Sequence, residues 1–260
     1  MSTPSGFTSG YAPVNGLSIY YESAGTCNNG SAPLLILHGA FGTLNDFHPL
    51  MTALAPHRRV LALEHQAHGR TADIDRPLSH QQLAEDAAAF LTYLNIPQAD
   101  IFGYSLGGRA AQYLAIRHPL LVRRLVIAAS WYAAVGLRPE ILKGFWEISM
   151  EQMRGTKYEE VYKRLAPDPQ GFPRLVEKMR DMNRNMVDIP EEQARGIMAP
   201  MFVVVGDSDY VTLEHAIKMF RLSAGPDVSQ LAVLPETSHE GIVDRSCWIA
   251  GMVEEFLGRV

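Results

Sequence analysis

Apolar positions along this chain follow two rhythms. Short uninterrupted runs occupy residues 33–37, 60–63, 101–102, 125–129, 201–205 and 231–234. Runs this short and rich in Leu, Val and Ile predict strands buried on both faces. Between most of them the spacing lengthens to that of a helix. In residues 78–94, Leu83, Ala87, Phe90, Leu91 and Leu94 recur every three or four positions, and Ser79 with Gln82 has the spacing of a capping box. A helix is also expected over residues 110–118, and an amphipathic one over 242–257. Near the start, β-rich residues 11–14 and 17–22 flank Asn15-Gly16, a type I′ hairpin signal. Strands alternating with helices predict an α/β fold: a mostly parallel sheet covered on both faces.

Residues 131–199 break the alternation. No strand pattern appears there, only helical segments near 140–153, 158–165, 172–186 and 191–197, punctuated by Gly155, Pro167, Pro169, Pro173 and Pro190. The expected organisation is a core of residues 1–130 and 200–260 with a helical cap of residues 131–199. Ligands of open α/β sheets bind beyond the C-terminal strand ends, where such an insertion would sit as a lid. Met150, Met153, Met179, Met182 and Met186, with Phe145 and Trp146, would then shape an apolar pocket.

Composition narrows the classes. The 260 residues suit one α/β domain with an insertion, 47% of them hydrophobic and 20% charged. A net charge of −5 with scattered basic residues argues against nucleic acid or an anionic membrane as partner. Cys27 and Cys247 are far apart and lack metal-ligand spacing. The first residues show no secretory pattern, and no apolar stretch has the length to span a bilayer, so a cytoplasmic location is expected.

The chemistry-bearing segment is Gly103-Tyr104-Ser105-Leu106-Gly107, set between an apolar run and a helical stretch. A strand–turn–helix context makes Gly-x-Ser-x-Gly a nucleophile elbow, with glycines where neighbouring backbone passes close. A serine hydroxyl needs an adjacent base, and this elbow expects an acid and then a histidine later in the chain. Asp207 and Asp209 follow the 201–205 run, and His239 follows the 231–234 run. His239 is the only histidine in a loop past the acid. His38, His80 and His118 have structural explanations, and no acidic cluster accompanies His65 and His68 to make a metal site. Two oxyanion donors are required: the N–H of Leu106, and one from His38-Gly39-Ala40-Phe41-Gly42, with Ala40 the first choice and Phe41 the second.

With Glu64-His65-Gln66-Ala67-His68-Gly69-Arg70-Thr71 and Ser238-His239, these blocks run in order over nearly the whole chain. Together they resemble the α/β-hydrolase superfamily, in its small, cap-bearing, esterase-like branch. The resemblance implies an eight-stranded, mostly parallel sheet with a helical cap after the sixth strand. Its Gly-x-x-Asp pattern selects Asp209 over Asp207. Three positions depart from the usual pattern: Glu64 stands for aspartate, Ala67 for glycine and Tyr104 for histidine.

The activity implied is cofactor-independent serine hydrolysis of a carboxylic ester, lactone or thioester, with Ser105, Asp209 and His239 as the triad and no metal. The substrate expected is small and largely apolar, with Phe41, Tyr104, Trp131, Tyr132, Trp146 and Tyr210 as pocket candidates. The same triad also serves C–C bond hydrolysis, acyl transfer and cofactor-free peroxidase chemistry. A ligand-binding receptor on the same fold would keep it with negligible turnover.

Overall fold

The computed structural model describes residues 6–26, 30–223 and 228–258. The expected hairpin is present: β1 (Phe7–Val14) pairs antiparallel with β2 (Leu17–Ala24), and Asn15 and Gly16 both take positive φ, 50° and 79°. Six more strands follow: β3 (Leu34–Leu37), β4 (Val60–Leu63), β5 (Ala99–Tyr104), β6 (Val122–Ala128), β7 (Met201–Ser208) and β8 (Gln230–Ser238). The sheet order is β1-β2-β4-β3-β5-β6-β7-β8, and every pairing from β4 onward is parallel.

The period-2 alternation of buried strands divides the core into two layers. Leu35, Leu37, Leu61, Leu63, Ile101, Leu125 and Ile127 face one side. They pack beneath α2 (His80–Tyr93), α3 (Leu106–Arg117) and α9 (Leu213–Leu222), the labels running in chain order. Leu34, Ile36, Val60, Ala62, Phe102 and Val126 face the other, against α1 (His48–Leu54) and α11 (Ser246–Gly258). All four residues of β3 have no exposed surface, which explains their uninterrupted apolar run.

Three helix predictions need correction, two of them in helices packed on the sheet. Ser79 caps α2 by accepting from the Gln82 N–H, but the Gln82 side chain donates to Asp86 instead of closing the capping box. The helix expected over 242–257 is split at Arg245 into α10 (Gly241–Asp244) and α11. The Arg245 guanidinium donates to Pro235 O (2.5 Å) and Thr237 Oγ1 (2.7 Å) at the irregular end of β8.

Between β6 and β7 the chain forms only helices and one isolated bridge, Leu137 to Val211. These are α4 (Pro139–Glu147), α5 (Met150–Met153), α6 (Lys157–Leu165), α7 (Phe172–Arg184) and α8 (Glu191–Arg195). The segment read as continuous over 140–153 breaks at Ile148, whose ψ of 133° ends α4, and Ser149 starts α5 with a capping box to Gln152. No helix among the described residues is long and apolar enough to cross a membrane. Cys247 is a free, exposed thiol, and Cys27 lies outside the described residues.

Candidate active site

The central strand β5 ends at Tyr104 and α3 begins at Leu106, leaving Ser105 alone in the turn with φ 52° and ψ −115°. That backbone is strained for a non-glycine residue, at a cost of about 1–3 kcal/mol. Hydrogen bonds hold it: the Ser105 N–H donates to Ala128 O (3.0 Å), and Ser130 Oγ donates to Ser105 O (2.8 Å). The flanking glycines are steric requirements. A Cβ on Gly107 would stand 2.1 Å from Leu37 O, and one on Gly103 would stand 2.5 Å from Gly107 O.

The two late loops meet this serine. Ser105 Oγ lies 2.9 Å from His239 Nε2, and His239 Nδ1 lies 2.7 Å from Asp209 Oδ1. With the proton on Nδ1, the imidazole donates to the carboxylate and accepts from the hydroxyl. Asp209 is 1% exposed and also accepts from the N–H groups of Val211 (3.3 Å) and Gly206 (3.4 Å), which fixes its orientation. Asp207 does something else. It is exposed, and it accepts from the N–H groups of Glu236 (2.8 Å) and Thr237 (3.1 Å), stapling the end of β7 to the irregular end of β8. Those backbone donors hold its carboxyl below the usual aspartate range. Two tyrosines flank the imidazole. Tyr210 stacks on it at 4.2 Å and 10°, and Tyr104 lies tilted at 5.2 Å with its hydroxyl donating to His239 O (3.1 Å).

The loop after β3 faces the same space. Ala40, Phe41 and Leu106 all border the cavity that Ser105 opens into. Phe41 takes φ 59°, and the Gly42 N–H closes the turn on Gly39 O (3.2 Å). Behind it stand three buried imidazoles. His38 donates from Nδ1 to Gly39 O (2.8 Å) and accepts at Nε2 from the His65 N–H (3.1 Å), so it buttresses the loop, as its position beside Gly39 suggested. Burial holds all three below the ordinary histidine value, His65 at about 3 and His68 at about 4. Among the described residues, no group of three or more His, Cys, Asp or Glu side chains is arranged to hold a metal ion.

The departures at Glu64 and Ala67 have local consequences. Glu64 has no exposed surface and accepts from Arg70 Nη1 (2.7 Å) and from the Arg70 N–H. Burial outweighs that guanidinium and raises its pKa to about 7. Ala67 adopts φ 62°, a conformation glycine would take without strain.

The cavity above Ser105 measures about 310 Å³. Of the six aromatic candidates, Phe41, Tyr104, Trp131 and Tyr210 line it. Tyr132 and Trp146 do not. Tyr132 is buried away from the cavity, stacked on His215 at 4.4 Å. Trp146 is 42% exposed, because on α4 it follows the cavity-facing Phe145 by the 100° turn of one helical residue. The insertion contributes Phe145, Met153, Tyr158, Val161, Met179 and Met182. At one side the wall becomes charged. Glu240 accepts from Tyr158 Oη and Lys157 Nζ (3.0 Å), joining α6 to the histidine loop, and Asp46 and Asp244 lie nearby. Tyr158, Asn183, His80 and Glu240 were not singled out as pocket residues from sequence.

Residues 32–186 match the family described as the α/β hydrolase fold. Among curated proteins, the chain is 28% identical over 228 residues to the dihydrolipoyllysine-residue acetyltransferase component of an acetoin cleaving system from Pseudomonas putida. That alignment covers 81% of this chain but 59% of the relative, so the chain spans under two thirds of that protein's length. It is 21% identical over 203 residues to a putative esterase/lipase of Haemophilus influenzae, covering 72% of this chain and 70% of the relative. Among solved structures, a putative lipase from Acinetobacter baumannii superposes with a TM-score of 0.80 at 20% identity, covering 97% of this chain and 91% of the other.

Proposed function

This chain belongs to the α/β-hydrolase fold family, and on that premise we propose that it is a cofactor-independent serine hydrolase of small, largely apolar carboxylic esters, lactones or thioesters. One observation carries the reading: the unbroken chain from Ser105 Oγ through His239 to Asp209, opening on an apolar-walled cavity. In this reading Ser105 attacks the carbonyl as His239 Nε2 takes its proton. The carbonyl oxygen becomes an oxyanion, held by the N–H groups of Leu106 and Ala40, with Phe41 the alternative second donor. His239 returns the proton to the leaving alcohol, leaving an acyl-enzyme on Ser105. Water, activated by the same imidazole, then releases the acid. Asp209 holds the ring in the Nδ1–H tautomer and stabilises the imidazolium. Residues 131–199 act as a cap that excludes bulk water.

The names of the relatives support an ester-directed reading. One is a putative esterase/lipase, and another is a pimeloyl-[acyl-carrier protein] methyl ester esterase of Yersinia enterocolitica. The test is Ser105→Ala. It should lower the turnover of short-chain p-nitrophenyl esters by at least about 10³-fold with the thermal transition intact. A fluorophosphonate probe should label the parent chain and not the variant. Retained turnover, or labelling elsewhere, would overturn the assignment.

A further inference from the structure

His80 opens α2 and is only 3% exposed, yet its imidazole forms no hydrogen bond with any described residue. Its ring nitrogens are not among the side-chain atoms sealed from solvent without a partner, so they keep access to the adjoining space, where water or a bound group can satisfy them. The other buried rings are placed differently. His38 and His215 accept from backbone N–H groups, and His239 pairs with Asp209. The orphaned Nε2 atoms of His65 and His68 belong to rings that border neither cavity discussed here.

His80 differs in position. It lies in the wall of the cavity above Ser105 and also in that of a second cavity of about 340 Å³, bounded by Leu78, Ser79, Lys178 and Asn185 among others. Met182, a flexible side chain, is the other residue common to both walls. Burial and the nearby Arg109 guanidinium hold the His80 ring well below the ordinary histidine value, so it stays neutral. A neutral imidazole offers one N–H and one lone pair, and it cannot balance an ionised carboxylate. The wall of the nearer cavity includes the apolar side chains of Trp131, Phe145, Met179 and Met182.

We propose that His80 is a specificity-determining residue, and that the substrate of Ser105 carries an uncharged hydrogen-bonding group, a ketone or hydroxyl, on the segment lying against it. The second cavity then receives whatever extends past that group. This inference rests on the serine hydrolase reading for the chemistry, but not for the recognition.

The experiment measures both separately. Two series of p-nitrophenyl and alkyl esters carry a ketone stepped along the acyl chain or along the alcohol chain, each with its unsubstituted parent. Binding of the intact esters is measured on Ser105→Ala protein, and turnover on the parent chain. At one ketone position, binding should be at least about tenfold tighter than for the unsubstituted ester. Adding His80→Leu should abolish that preference, and His80→Gln should keep part of it. Equal affinity at every ketone position, or a preference that survives His80→Leu, overturns the proposal. If His80→Leu does not fold, the comparison on Ser105→Ala alone decides. If the parent chain hydrolyses nothing while the binding preference holds, the hydrolase reading falls and this one stands.

Discussion

Tyr210 lies flat on the imidazole of His239, with ring centroids 4.2 Å apart and planes within 10° of parallel. It follows Asp209 directly, so one short loop supplies both the carboxylate that the imidazole donates to and the face it rests against. An aromatic face favours a cation above it and restricts ring rotation. On the proposed function, this stack makes Tyr210 a positioning residue for His239. Tyr210→Leu should lower kcat for ester hydrolysis about tenfold with little change in KM, and Tyr210→Phe should restore it. A Phe variant as slow as the Leu variant would show that the hydroxyl, not the stack, matters.

The two aspartates of the β7 loop should separate cleanly. Asp209→Asn leaves the shape intact but removes the negative charge beside His239 and lets an amide N–H face Nδ1, which favours the wrong tautomer, and it should cost about 10⁴-fold in kcat. Asp207→Asn weakens only the staple to Glu236 and Thr237. Its effect should appear as a lowered melting temperature, and hardly in kcat. Steady-state kinetics and thermal melts on both variants check the division.

The elbow glycines make a stability prediction with an internal control. Gly107→Ala would drive a methyl group to 2.1 Å from Leu37 O in the middle of the sheet, and the variant should lose about 3 kcal/mol or more. Gly144 sits in α4 with nothing within 4 Å of an added Cβ. Gly144→Ala should instead gain about 0.5–1 kcal/mol. Urea unfolding of the two variants compares them directly.

The imidazoles behind the loop after β3 should make the fold acid-sensitive. Burial lowers His65 from 6.5 to about 3 and His68 to about 4, with His38 lowered as well. Below pH 6.5 the unfolded chain takes up protons that the folded one refuses, so stability falls with falling pH. The slope is about 1.4 kcal/mol per pH unit for each such ring. Glu64 runs the other way. Its folded pKa of about 7 lies above the ordinary glutamate value of 4.5, so between these values it favours the folded state as pH falls. One carboxyl offsets only one of the three rings. The melting temperature should drop between pH 7 and pH 5, and His68→Gln should flatten that slope. A slope unchanged in the variant would place the sensitivity elsewhere.

Much of the framework was legible in residues whose role depends on near neighbours. The Asn15-Gly16 turn, the doubly buried run at β3 and the glycines around Ser105 are answers to local backbone geometry, and local pattern exposed them. The break at Arg245 escaped because its cause lies elsewhere, whereas the one at Ile148 had a local signal in the Ser149–Gln152 capping box. Arg245 is drawn out of helical register by Pro235 and Thr237. The pocket was read least well. Tyr132 and Trp146 are as aromatic as Trp131 and Phe145, and nothing in composition separates the pair that lines the cavity from the pair that does not.

By itself the chain determined its strand–helix alternation, the turn that isolates Ser105, and the order in which an acid and an imidazole follow, since each depends on spacing along the backbone. The resemblance had also pointed to Asp209 over Asp207; the tertiary structure alone decided how closely Ser105 and Asp209 approach His239, which aromatic faces turn inward, and that His80 stands between two cavities without a partner among the described residues. Those outcomes depend on how distant segments pack together, and contacts across such distances leave no periodic trace in the order of residues.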